Sequence, residues 1–207
     1  MSVQFAKEPA VFIYRILTLI GLAHICMATA LAQESAKMGS SAELALSDDT
    51  IQLRYATQSD PLGVDGGRLT GAFFLSEERD IVLSAGLLFP STLELGRLSI
   101  VFGPQLYAAL LEEENNDVMS ISVGTEVRLV LHPRTGLAVA GHAYYAPDIL
   151  TFGAADNLTD LGARLEIGIA PRLIAFGGMR WFEFDLVEGA GERTLQEELF
   201  VGFGYRF

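Results

Sequence analysis

The sequence predicts an all-β protein, a transmembrane up-and-down antiparallel β-barrel of eight to ten strands, ten being favoured, in the bacterial outer membrane. Three observations carry this expectation. The N-terminus reads as an export signal, the remainder alternates apolar and polar residues with period two, and the chain closes on an aromatic-ended strand.

In the signal, Lys7 and Arg15 supply positive charge before a mostly apolar run from Ile16 to Met27. Ala30-Leu31-Ala32 then places small residues at the −3 and −1 positions, so cleavage falls before Gln33. Residues 1–32 are thus expected to be a signal peptide and 33–207 a single barrel domain. An uncleaved anchor of similar length is opposed by His24 inside the run and by the small-residue site. Cys26, the only cysteine, lies within the signal. His24-Ile25 precede it, where a lipoprotein needs small residues. The mature chain would have no disulfide and no thiol chemistry.

The chain carries 14 Lys and Arg against 26 Asp and Glu, a net charge of −12. Removing Lys7, Arg15 and Glu8 with the signal makes it −13 and leaves Lys37 as the last lysine. Nucleic-acid binding needs a basic footprint, so nucleic acid is excluded as a partner.

The strands follow in order. Ile51, Leu53 and Tyr55 oppose Thr50, Gln52, Arg54 and Ala56. Arg68–Ser76 and Ile81–Phe89 come next. Leu98, Ile100, Phe102 and Leu106 then oppose Arg97, Ser99, Gly103, Gln105 and Tyr107. Between Val118 and Leu131, Met119, Ile121, Val123, Val127, Leu129 and Leu131 oppose Ser120, Ser122, Gly124, Glu126 and Arg128. After Leu137–Tyr145, Leu161, Ala163, Leu165, Ile167 and Ile169 oppose Asp160, Gly162, Arg164, Glu166 and Gly168. Leu173–Phe184 and Leu195–Phe207 complete the set. Lipid-facing apolar and lumen-facing polar residues produce this pattern.

These segments number nine, whereas bacterial single-chain barrels have even numbers. Ten result if Ser47-Asp48-Asp49-Thr50 turns a short extra hairpin, and eight if one segment lies outside. Glu77–Asp80, His132–Gly136 and Pro171-Arg172 are short breaks. Gln58–Gly67, Leu110–Asp117, Ala146–Asn157 and Val187–Arg193 are longer. Barrels keep short turns on the periplasmic side. Traced back from the last strand, most breaks obey, but Glu77–Asp80 falls outside although short.

The last strand is the most specific feature. Leu199, Val201, Phe203, Tyr205 and Phe207 step back by twos from a final aromatic. A soluble β-sandwich or lipocalin-like barrel can end in an amphipathic strand, but this pattern resembles the signal read by outer-membrane assembly machinery. Phe203, Tyr205 and Phe207 are its expected core. The partners implied are that machinery, outer-membrane lipid and lipopolysaccharide.

Tyr144-Tyr145-Ala146-Pro147-Asp148-Ile149-Leu150-Thr151-Phe152 is similar to a distinctive stretch of the YfaZ family. Ser47–Tyr55, Gly162–Glu166 and Val201–Phe207 resemble other segments of that family, so the likeness spans nearly the whole mature chain. It implies a small outer-membrane protein and carries over no activity and no catalytic residues.

The inward faces collect Arg54, Arg68, Arg97, Glu126, Arg128, Arg164, Glu166, Glu198 and Arg206, with His142 and Tyr107. Charge confined in a narrow barrel must meet opposite charge or water. The expectation is a lumen-filling ion-pair network in a protein of structural or envelope-maintenance role. A narrow, porin-like anion channel lined by arginine is the alternative. An outer-membrane lipid hydrolase would use inward His142 with Ser120 or Ser122, but no motif supports one, and no enzyme is expected. His132, before Pro133, reads as a solvated turn residue. The Glu112–Asp117 acidic run lacks EF-hand spacing and reads as a solvated loop, with a divalent bridge to lipopolysaccharide as the sharper alternative. No cofactor or metal is expected, since there is no phosphate loop and no Cys/His set.

Overall fold

The computed structural model describes residues 39–60, 63–64, 66–91, 96–112, 117–186 and 192–207. The expected signal, its cleavage site and residues 113–116 of the acidic run lie outside them.

The strands are β1 (Ser41–Leu46), β2 (Thr50–Gln58), β3 (Arg68–Ser76), β4 (Ile81–Pro90), β5 (Leu98–Leu110), β6 (Asp117–His132), β7 (Leu137–Ala146), β8 (Thr151–Gly153), β9 (Ala155–Ala170), β10 (Leu173–Leu186) and β11 (Glu192–Arg206). β1 to β7 pair antiparallel in succession, β7 pairs with β9, β9 with β10, β10 with β11, and β11 returns to β1. Ten strands therefore close a ring, in which β1 and β11 seal the sheet over Ser41–Leu46 and Val201–Arg206. The parity question is resolved by the hairpin at Ser47–Asp49, where the Ser47 N–H donates to the Thr50 carbonyl at 3.0 Å. β1 is the tenth strand.

The break between β7 and β9 is more structured than its composition suggests. After Pro147 a 3-10 turn (Asp148–Leu150) leads into β8, which folds back onto β6 through Met119 and its neighbours. Gly153 ends β8 at φ 98°, and a Cβ there would meet the Asp117 carbonyl oxygen at 2.1 Å, so only glycine fits. β9 accordingly starts at Ala155, five residues before the alternation becomes visible in the sequence.

Both ends of the described barrel wall, Ser41 and Arg206, pair with each other at what we call the proximal rim. The connections after β2, β4, β6 and β9 share that rim, and those after β1, β3, β5, β7 and β10 form the distal one. From β6 onward the proximal turns are short and the distal connections long. Among β1 to β4 the order reverses, with the long 59–67 connection proximal and the short 77–80 turn distal.

The wall is also uneven in height. β1 to β4 have six to ten residues, whereas β5, β6, β9, β10 and β11 have 13 to 16. β11 pairs with β1 only from Val201 to Arg206, so its distal half stands above the β1–β2 hairpin. Side chains span this step. Arg193 reaches Asp80 at 2.9 Å and Glu78 at 2.7 Å, Gln196 reaches Thr50 at 3.0 Å, and the Ser47 hydroxyl donates to Glu198. A register shift opposite Phe182/Glu183 turns both Leu195 and Gln196 inward, as a bulge does.

The faces follow the alternation. Leu53, Leu83, Phe102, Leu106, Ile121, Val123, Leu165, Ile167, Val201 and Phe203 stand outward around the ring, with Val123 60% and Val201 64% exposed. Thr50, Ala56, Tyr107, Ser122, Asp160, Glu166 and Arg180 point in and are buried.

Candidate functional site

The interior is divided along its axis. Its distal part is an apolar core in which Phe74, Val82, Tyr107, Val118, Leu158, Phe182, Phe184 and Leu195 pack together. Phe182 sits at its centre, 5.7 Å from the rings of both Phe74 and Tyr107 and 5.6 Å from that of Phe184. These large side chains fill the distal part of the interior among the described residues. Glycine makes room lower down. A Cβ at Gly162 would come within 2.4 Å of the His142 ring, and one at Gly124 within 2.2 Å of the Tyr144 ring.

Beneath the apolar core lies a node built on Asp160. Arg180 donates to it twice, Nε to Oδ1 and a terminal nitrogen to Oδ2, both at 2.8 Å. The Tyr107 hydroxyl donates to Oδ2 at 2.7 Å, and His142 Nε2 lies 3.1 Å from Oδ1. The Arg180 guanidinium lies 4.4 Å from the centre of the Phe182 ring, so one side chain joins the polar node to the aromatic layer.

Proximal to the node the lumen opens into a cavity of about 420 Å³. Two clusters line it. Glu126 accepts from Arg54 and from the Tyr144 hydroxyl, the latter at 2.9 Å, with Arg68 3.9 Å from its other oxygen. Glu166, 1% exposed, accepts from Arg128 at 2.8 Å and Arg164 Nε at 3.0 Å, with Arg206 3.9 Å away. Arg164 also forks onto Glu43 at 2.7 and 3.0 Å, tying β9 to β1 across the cavity. Its guanidinium stands 4.5 Å over the Phe176 ring.

Of the expected network, Arg54, Arg68, Glu126, Arg128, Arg164, Glu166 and Arg206 line this cavity together, with His142. Two assignments need correction. Arg97 does not point into the lumen. It lies in the turn before β5, exposed, and donates to the Leu131 carbonyl at 3.3 Å. The strand begins one residue after it, so its parity has no bearing on its direction. Glu198 is on the inner face but belongs to the step in the wall, where it meets Ser47 and, among the described residues, no arginine. Glu43, Asp160 and Arg180, which the expected network does not include, are central to the one observed.

Phe203 and Tyr205 stand outward, 57% and 46% exposed. Phe207 follows β11, packs its ring on Tyr55 and Tyr205, and borders the cavity. His132, expected in the turn before Pro133, is instead the last residue of β6; it is exposed and bonds Thr135 in the turn that follows. Ser122 donates to the Gln105 carbonyl, and the Ser120 hydroxyl is buried with no hydrogen-bond partner among the described residues. Among the described residues no His, Cys, Asp and Glu group has metal-binding geometry.

The family model described as "YfaZ precursor" matches residues 17–207. No curated protein matches. Among solved structures, the chain is similar to a "Bacterial polysaccharide outer membrane secretin", with 16% identity and a TM-score of 0.46. The match covers 76% of this chain and 55% of that one, so the chain spans about half the length of that protein.

Proposed function

The chain belongs to the YfaZ precursor family, and from that premise we propose that it is a small outer-membrane barrel of structural, envelope-maintaining role with a blind lumen. The observation that carries the reading is the reversal of faces. Large apolar side chains ring the outside, including Leu199 at 73% and Val201 at 64% exposed, while salt bridges lie within. In water such a belt far exceeds the apolar patch a monomeric protein tolerates, but in a bilayer it is the favourable surface. Closure of the ring supports the same reading, because a spanning sheet leaves no edge unpaired in lipid. The word "precursor" in the family description fits removal of residues 1–32 on export.

The apolar distal core favours a structural barrel over a through-channel. The reading assigns no hydrolytic step. His142 bonds to an aspartate already held by Arg180 and Tyr107, the arrangement of a packed node, and Ser122 is bonded to backbone. The barrel would sit with its proximal rim towards the periplasm, as in barrels whose strand ends and short turns share that side.

Fractionation tests the reading. The protein expressed in a Gram-negative host should enter the outer membrane as a heat-modifiable band beginning at Gln33. Phe207→Ser should lower that yield several-fold, since it removes a ring packed on Tyr55 and Tyr205. Recovery of the wild-type protein as a soluble periplasmic species would refute the proposal.

A further inference from the structure

We propose that the proximal cavity is a binding site for a phosphate-class oxyanion that enters from the proximal rim. This rests on the blind-lumen reading, but its test does not. Charge is the first ground. Seven arginines line the cavity, against Glu43, Glu126, Asp160 and Glu166. Positive charge is therefore in excess. That excess occurs inside a chain whose net charge is −12. An acidic protein that gathers its arginines in one concave, half-enclosed place creates a local field for anions that its outer surface lacks.

Geometry is the second ground. The carboxylates present are already taken. Glu126 is held by Arg54 and Tyr144, and Glu166 by Arg128 and Arg164. Arg68 and Arg206 each stand 3.9 Å from one of these occupied carboxylates, beyond hydrogen-bond reach, and are 39% and 50% exposed. Arg172 lines the same cavity from the β9–β10 turn and makes no ion pair among the described residues. These three guanidinium groups have donors to offer a ligand, while the deeper arginines are fixed by their partners. A guanidinium fork matches phosphate oxygens two at a time, which a spherical halide cannot exploit. A volume of about 420 Å³ is within the range of small-ligand sites and admits a phosphate with an attached group. The phosphate could come from a soluble small molecule or from a lipid headgroup at the rim.

Calorimetric titration of the refolded barrel in dodecyl maltoside, at constant ionic strength, separates the outcomes. Sodium phosphate should bind saturably where sodium chloride does not. Arg68→Ala and Arg172→Ala should each weaken binding about tenfold, the factor for one lost charge-assisted contact. Neither residue belongs to the closing strand, and an unchanged heat-modifiable band certifies the fold of each variant. In a second arm, dihexanoyl phosphatidylglycerol binding far more tightly than phosphate would assign the site to a headgroup, and equal or weaker binding to a soluble anion. Absence of saturable heat with both probes, or unchanged affinity in the Arg68→Ala/Arg172→Ala double variant, would overturn the proposal. It would leave membrane location untouched.

Discussion

The two ends of the lumen are built by the same strands with the same inward parity, yet they have opposite chemistry. On β10, Phe182 and Phe184 point into the distal core, while Phe176 lies beside Arg164 in the proximal cavity. On β9, Leu158 is distal, Asp160 is at the boundary, and Arg164 and Glu166 are proximal. Inwardness therefore does not mean polarity in this barrel. Height along the strand decides it. The distal end gains stability by excluding water from large rings, and the proximal end by satisfying charge with charge, so the two should respond differently to substitution.

The largest effect is expected where the two ends meet. Asp160→Ala removes the acceptor shared by Arg180, Tyr107 and His142 and leaves the Arg180 cation, 5% exposed, buried without its partner. Urea unfolding of the refolded barrel should show a loss of about 4 kcal/mol, the scale for breaking one side of a buried pair. A loss no greater than that of an exposed pair would mean that water reaches the node.

Phe182→Ala should cost somewhat less, about 3 kcal/mol, because it opens a cavity among Phe74, Tyr107 and Phe184 without stranding a charge. It should also loosen the distal closure, whereas no proximal arginine substitution should. The smallest effect belongs to Arg97→Ala, expected within about 0.5 kcal/mol as for other exposed positions. A large loss there would return Arg97 to the lumen.

The difference between the ends also explains what was legible in the sequence. Contrast between faces is what period two reports, and it is strong where the inside is charged. Arg54, Glu126, Arg128, Arg164 and Glu166 were therefore found by parity alone. On β10 both faces are apolar, Phe176, Phe182 and Phe184 inward and Met179 and Trp181 outward, so alternation fades and does not single out Arg180. Asp160 was placed on the correct face, but its role depends on Arg180, a partner 20 residues away. Glu43 lies on β1, a six-residue strand signalled only by the turn residues Ser47-Asp48-Asp49. Strand ends were accurate where a turn was short, as at Pro171-Arg172. They were late by several residues where β8 and the start of β9 fold within a glycine- and asparagine-containing stretch that resembles a loop.

The central claim is that the lumen is a well with a closed distal end. Steady conductance of the wild-type barrel in a planar bilayer tests it most directly. The apolar core around Phe182 should hold the current near the bare-bilayer level at moderate voltage, and Phe182→Ala should raise it. A reproducible anion-selective current through the wild-type protein, reduced by Arg128→Ala or Arg164→Ala, would contradict the closed well and make the arginines the lining of a channel.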